Sequence, residues 1–125
     1  MAEKIFDLED RLVDFSCRAV EVVESLPSTR AGNYIASQLI RCGLAPSLLY
    51  GEAQSAESRM DFIHKMKIVL KELKETRVCL KIITKLILIT PVERLKNIKS
   101  ENEQLVSIIA KSIDTAKTNL AASKK

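Results

Sequence analysis

The stretch FIHKMKIVLKELKETRVCLKIITKLI, residues 62–87, decides the fold class of this chain. Apolar or small side chains recur along it at alternating spacings of four and three residues, which places them on one face of an α-helix. The members of this seam are Phe62, Met66, Val69, Leu73, Thr76, Leu80, Ile83 and Ile87. The pattern predicts an amphipathic helix over residues 56–88 with the seam facing a core.

The same spacing predicts a first helix over residues 5–26, which Pro27 ends because the residue before a proline disfavours helical backbone angles. Its seam consists of Ile5, Leu8, Leu12, Phe15, Ala19, Val22 and Leu26.

A fourth helix is predicted over residues 91–121, starting at a capping box formed by Thr90, Pro91 and Glu93. Ser100 with Glu103 forms a second candidate box, so the alternative is a short helix over residues 91–99 before the main one. The seam of this helix consists of Leu95, Ile98, Leu105, Ile109, Ile113, Ala116 and Leu120.

The second helix, predicted over residues 29–53 with Ser28 or Thr29 as its cap, should be kinked near Pro46, which cannot donate to the carbonyl of Cys42. Its seam consists of Ile35, Leu39, Cys42 and Leu49. Between residues 31 and 51 only Arg41 is charged, and apolar groups also flank the seam, which predicts burial on a second side. We therefore expect a subunit interface, unless loops or the C-terminal tail cover this face. The candidate interface residues are Tyr34, Leu44, Leu48, Tyr50 and, on the third helix, His64.

Four amphipathic helices with short connections predict one all-α domain over residues 1–125, an antiparallel up-down-up-down four-helix bundle. Few glycines and prolines, three of each, agree with this class. The apolar run at residues 82–89 is interrupted by Lys85 and is too short to span a membrane, and the N-terminus does not resemble a secretory signal. We expect a cytoplasmic protein with no membrane association. Its three cysteines, Cys17, Cys42 and Cys79, are then expected to be reduced and buried.

Charge is unevenly distributed, since residues 1–26 carry a net −4 and residues 27–99 a net +7. Basic residues on the outward side of the third helix form a candidate nucleic-acid-binding set, because each phosphate contact adds counterion release to affinity. This set consists of Lys67, Lys71, Lys74, Arg77, Lys81 and Lys85. The competing interpretation is a solvated face that only keeps the protein soluble.

Catalytic motifs are lacking. His64 is the only histidine, so the usual di-iron bundle, which needs two Glu-x-x-His motifs, does not fit. The sequence also contains no glycine-rich phosphate loop. We predict no enzymatic activity, no catalytic residues, no cofactor and no metal.

Two segments resemble the family of four-helix-bundle proteins first associated with open reading frames in intervening sequences of 23S ribosomal RNA. The segments are IASQL with Arg41 and Gly43, then YGEAQ and AESR, and DFIHK followed by LKE and ET, within residues 35–76. The sequence departs from its relatives at residues 42–49 and at Cys79 and Leu80, where many relatives carry an aromatic pair. The resemblance implies a homo-oligomer, a ring of five bundles, and no established catalytic residues. A related branch, the accessory variability determinant of diversity-generating retroelements, forms a basic pentamer that associates with a reverse transcriptase and nucleic acid.

Two functions remain open at this point. One is a non-enzymatic oligomer that binds RNA or DNA electrostatically as an accessory factor. The other is an assembly scaffold or adaptor for a protein partner, with no role in nucleic-acid binding.

Overall fold

The computed structural model describes residues 7–123, which contain four α-helices, one 3-10 turn and no β-strand. The elements are α1 (Leu8–Ser25), α2 (Arg30–Gln54), α3 (Arg59–Lys85), the 3-10 turn (Val92–Leu95) and α4 (Lys96–Ser123). α2 packs against α1 and α3, and α4 packs against α3 and, less extensively, α1. The prediction of an all-α chain with four helices is confirmed. Within residues 7–123 no helix combines the length and apolar character needed to cross a membrane.

The predicted seams form the core. Leu12 and Phe15 of α1, Leu39 of α2, and Leu73 of α3 have no solvent exposure. Leu95 of the 3-10 turn and the seam of α4 from Ile98 to Ala116 are also buried. Phe62 and Leu120, at the ends of their seams, are partly buried against the core. Ile5, the first member of the α1 seam, lies outside the described residues.

Three helix starts are fixed by side-chain caps. Asp7 accepts from the backbone N–H of Asp10, and Ser58 accepts from that of Asp61, in each case satisfying a donor that the first turn leaves free. Thr29, one of the two predicted caps of α2, accepts from the N–H of Gly32 at 3.0 Å.

The start of α4 differs from the prediction. Thr90 and Pro91 are joined by a cis peptide bond, Pro91 is extended, and no side chain caps the 3-10 turn that follows. The capping box at Thr90 is therefore wrong, and the helix begins at Lys96. The alternative of a short helix before the main one is correct in outline, because the 3-10 turn precedes α4, but its boundary is wrong: α4 runs without a break through Ser100 to Ser123.

The C-terminal end of α3 also differs, since the helix ends at Lys85 rather than residue 88. Ile87 has a φ of 53° and is 60% exposed, so it does not continue the seam. The N–H of Leu88 donates to the carbonyl of Ile83, and the N–H of Ile87 donates to that of Thr84. These two bonds are a Schellman motif, in which the left-handed position is usually glycine. The reversal returns the chain to the core, where Ile89 is buried.

α2 is continuous through Pro46, and the predicted kink there stays a prediction. Pro46 leaves the Cys42 carbonyl without its helical donor, and the hydroxyl of Thr76 on α3 lies 3.0 Å from that carbonyl oxygen and 3.0 Å from the carbonyl oxygen of Glu72, so it donates to both acceptors. One residue along, a Cβ on Gly43 would lie 2.7 Å from the Cβ of Ala19, so glycine there allows α1 to approach α2 closely.

Candidate nucleic-acid interface

Five lysines form one exposed stripe along α3, which we call the lysine stripe. They are Lys67, Lys71, Lys74, Lys81 and Lys85. In the described part of the chain, none of the five forms an ion pair with a carboxylate within 4.0 Å. Positive charge is therefore concentrated on this face without close neutralisation.

The lysine stripe is long enough to contact several phosphates. Its last lysine lies 18 positions after its first, which corresponds to roughly 27 Å at 1.5 Å per residue. Beside its first three lysines lies an open groove of about 480 Å³. The groove is lined by Lys67, Leu70, Lys71, Lys74, Glu75 and Val78. The stripe thus combines ammonium groups with a shallow, partly apolar floor.

Arg77, the sixth member of the predicted nucleic-acid-binding set, lies apart from the lysine stripe. Its Nη1 is 3.8 Å from Oε1 of Glu103 on α4, and its Nε is buried. The guanidinium therefore faces the α3–α4 contact, and the lysine stripe does not include it.

Arg41 of α2 contacts two acidic residues of α3 that lie next to the lysine stripe. Its guanidinium donates to Glu72 at 2.9 Å and to Glu75 at 2.7 Å. The hydrogen bond from Arg41 is the main reason that the pKa of Glu75 is lowered, and the charge of Lys71 acts in the same direction more weakly. Two acids of α3 are thus engaged by Arg41, which leaves the lysines as the dominant charges of the outward face.

The candidate interface residues differ in exposure and do not form one surface. Tyr34 and Leu48 are 65% and 69% exposed on α2, two heptads apart and so on one face, and Leu44 is half-buried. Tyr50 is half-buried and lines a separate groove with Leu8 of α1, where burial raises the pKa of its phenol. His64 is exposed on α3.

The three cysteines lie at two separate places in the fold. Cys42 and Cys79 are buried, and hydrogen bonding between their thiols lowers the pKa of Cys42 and raises that of Cys79. Cys17 is exposed, so the prediction that it is buried is wrong. Among the described residues, no group of three or more His, Cys, Asp or Glu side chains is placed to hold a metal ion.

A second open groove, of about 830 Å³, lies between the start of α3 and the end of α4. Phe62, Ile108 and Ala116 form its apolar part, and Arg59 and Lys111 add positive charge. Its lining within residues 7–123 also contains hydroxyl and amide groups, and no carboxylate, histidine or cysteine.

The sequence interpretation missed the polar groups that join the helices. Glu72 is buried where it meets Arg41, and Asn102 is buried in α4. A signal for Asn102 was present, because its spacing of four residues from Ile98 and three from Leu105 is that of the seam.

Three comparisons with known proteins bear on this arrangement. Residues 7–111 match the family model described as 23S rRNA-intervening sequence protein. A solved structure of a protein of unknown function from the S23 ribosomal protein family of Bacteroides thetaiotaomicron is similar, with 27% identity and a TM-score of 0.79. The similarity covers 86% of this chain and 98% of that one. The comparison with curated proteins finds no match. Because the family model spans most of the sequence, this chain belongs to the family of 23S rRNA-intervening sequence proteins.

Proposed function

We propose that this chain is a non-enzymatic, cytoplasmic, oligomeric helical-bundle protein that binds RNA or DNA through its lysine stripe. The observation that supports the proposal is the stripe itself: five exposed lysines on one helix face, each without a carboxylate within 4.0 Å among residues 7–123. A phosphate backbone would supply the negative charges that the protein does not place there.

The chemistry favours backbone contacts over base recognition. Lysine ammonium groups act as point charges toward phosphate, whereas sequence is read by hydrogen bonds to base edges. The exposed residue inside the lysine stripe is Val78, which has no side-chain hydrogen-bonding group. The proposed binding is therefore strongly dependent on salt and weakly dependent on sequence.

The expected salt dependence can be stated for one subunit. If all five lysines contact phosphates, log K should fall with log salt concentration with a slope of roughly −3.5 for a single strand and −4.5 for a duplex. An oligomer that presents several lysine stripes to one nucleic acid would show a steeper slope, because more counterions are released.

The oligomer is part of the proposal, and the family resemblance implies a pentamer. Tyr34 and Leu48 are large side chains of α2 that lie exposed on one face of the helix, and a second subunit packed there would bury them. Light scattering after size exclusion should give a multiple of the 14.0 kDa chain mass. The variant Leu48→Glu should shift that mass downward, and a wild-type mass of one chain at micromolar concentration would contradict the oligomer.

The test of nucleic-acid binding compares two triple variants of equal charge by fluorescence anisotropy with labelled RNA over a range of salt. Lys67→Gln/Lys71→Gln/Lys74→Gln removes three charges from the lysine stripe. Lys96→Gln/Lys111→Gln/Lys117→Gln removes three exposed charges from α4. The first should flatten the salt slope by roughly 2 to 3, at 0.7 to 0.9 for each phosphate contact. The control should change the slope little.

Two results would contradict the proposal: equal losses in both variants, or no binding by the wild type at low salt.

The second candidate function, an assembly scaffold or adaptor for a protein partner, rests on the same exposed Tyr34 and Leu48. It predicts that Leu48→Glu abolishes partner binding while the lysine-stripe variant binds the partner normally.

A further inference from the structure

Asn102 is a buried polar residue in the middle of the α3–α4 contact, with 1% exposure. Its Nδ2 donates to the carbonyl of Leu73 on α3 at 3.1 Å. This bond fixes the orientation of the amide, because a flipped amide would place its oxygen against the carbonyl oxygen of Leu73. The amide oxygen Oδ1 is buried and has no hydrogen-bond partner among residues 7–123. A buried acceptor of this kind is costly unless something donates to it.

Arg77 on α3 has a buried donor that could complement the Asn102 acceptor. Its Nε is also buried without a hydrogen-bond partner in the described part of the chain, although its Nη1 lies 3.8 Å from Glu103. Nε carries a proton and can only donate. The α3–α4 contact therefore contains one unsatisfied donor and one unsatisfied acceptor, contributed by different helices.

Both side chains line one small cavity of about 20 Å³. The cavity is lined by Arg77, Leu80, Lys81, Lys99, Asn102 and Glu103. A single water needs roughly 10–15 Å³ of such space and two to four polar partners. The volume and the polarity of the lining both fit one water.

We propose that this cavity binds one structural water that accepts a hydrogen bond from Arg77 Nε and donates one to Asn102 Oδ1. A water can do both at once. A halide ion could accept from Arg77 but could not donate to Asn102, and a metal cation would be repelled by the positive charges of Arg77, Lys81 and Lys99. Glu103 also lines the cavity, and its carboxylate can accept a hydrogen bond from the second O–H of the water.

A water hydrogen-bonded to both Asn102 and Arg77 would help to fix the register of α4 against α3. A shift of α4 by one helical turn would remove Asn102 from the Leu73 carbonyl and from the water together. A single buried asparagine is known to set register between packed helices in this way. Arg77 is then a positioning residue of the bundle rather than a ligand of nucleic acid.

The decisive experiment is a high-resolution crystal structure of the full chain, with a bromide soak as the probe for an anion. We expect one peak about 2.7–3.2 Å from both Arg77 Nε and Asn102 Oδ1. No bromide anomalous signal should appear there. A direct hydrogen bond between the two side chains, an unfilled cavity, or a bromide signal would overturn the proposal.

Two variants of equal charge provide the control. Arg77→Met removes the Nε donor and should lose the peak, whereas Lys81→Met removes a charge from the same lining and should keep it. Persistence of the peak in Arg77→Met would overturn the assignment. RNA affinity separates this inference from the proposed function, because Lys81→Met should weaken binding and Arg77→Met should leave it close to wild type. If Lys81→Met binds normally while the peak behaves as expected, only the proposed function fails.

Discussion

Polar groups on the inward face of α3 are hydrogen-bonded to other helices, whereas those on the outward face are exposed to solvent. On the inward face, Thr76 donates to the Cys42 carbonyl, and Glu72 accepts from Arg41. On the outward face, the five lysines are exposed and form no close ion pair within residues 7–123. Burial requires a polar group to be hydrogen-bonded, whereas water satisfies an exposed ammonium without help from the protein. The inward polar groups are thus part of the fold, and the outward ones are available to a ligand.

Substitutions of apolar residues on the inward face should reduce the free energy of unfolding most. Leu73 has no solvent exposure, so Leu73→Ala should reduce the free energy of unfolding by about 2–5 kcal/mol. Val78 is exposed on the opposite side, and Val78→Ala should stay within about 0.5 kcal/mol of wild type. Urea denaturation measures both. Similar losses in the two variants would mean that α3 is not oriented as described.

The polar part of the inward face should give the next largest effect. Thr76→Val keeps the shape of the side chain but leaves the Cys42 carbonyl buried without a donor, which should cost about 1–3 kcal/mol. Pro46→Ala supplies an N–H one helical turn after that carbonyl. The loss caused by Thr76→Val should therefore be smaller in a Pro46→Ala background, as a double-mutant cycle would measure. Additive losses would show that the Thr76 hydroxyl does not substitute for the missing helical bond.

This contrast also separates what the sequence could predict from what it could not. Apart from Ile87, and from Ile5 outside the described residues, apolar spacing placed the seams of the four helices against the core, because burying a seam is a property of one helix at a time. Arg77 entered the predicted nucleic-acid-binding set as a basic residue of the same helix, and Glu103, which it contacts, belongs to another helix that the pattern of α3 alone does not reveal. The Asn102 amide at a seam position was overlooked because it is polar. Its partner is the carbonyl of Leu73, which only the packed structure brings near.

Just after the end of α3, Ile87 is exposed although its spacing continues that of the buried seam. Its spacing predicts the inward face, yet it is exposed with a φ of 53°. A left-handed conformation costs a β-branched residue about 1–2 kcal/mol, whereas glycine adopts it freely. Ile87→Gly should therefore increase the free energy of unfolding by about 1 kcal/mol, measured by urea denaturation. A decrease would mean that the Ile87 side chain makes contacts that outweigh the strain.

Arg41 and Glu75 lie at the border of the two faces and should give a smaller, pH-dependent effect. Because the pKa of Glu75 is lowered in the folded chain, its contribution to stability is fully present above its unfolded pKa, about 4.3. That contribution is lost as pH falls through the lower folded pKa. Both side chains are more than a third exposed, so the contribution should not exceed about 1 kcal/mol.

Urea denaturation from pH 7 to pH 3 measures this effect. Glu75→Gln should remove part of the loss of stability below about pH 4.3. In an Arg41→Gln background, the same substitution should change the pH dependence little, because the hydrogen bond that lowers the pKa is already absent. An equal effect in both backgrounds would assign the pH dependence to other groups.

The outward face should give the smallest effect on stability. Lys67 and Lys71 are one helical turn apart, and such like-charge pairs each destabilise an isolated helix by about 0.2–0.5 kcal/mol. Lys67→Gln/Lys71→Gln/Lys74→Gln should therefore unfold at an equal or slightly higher urea concentration, with any gain disappearing in high salt. A loss above about 1 kcal/mol would show that the lysines contribute to the fold, since surface substitutions normally change stability by less than that. If stability is unchanged while RNA affinity falls, the loss of affinity belongs to the lysine stripe as a binding surface, because a folding defect is then excluded.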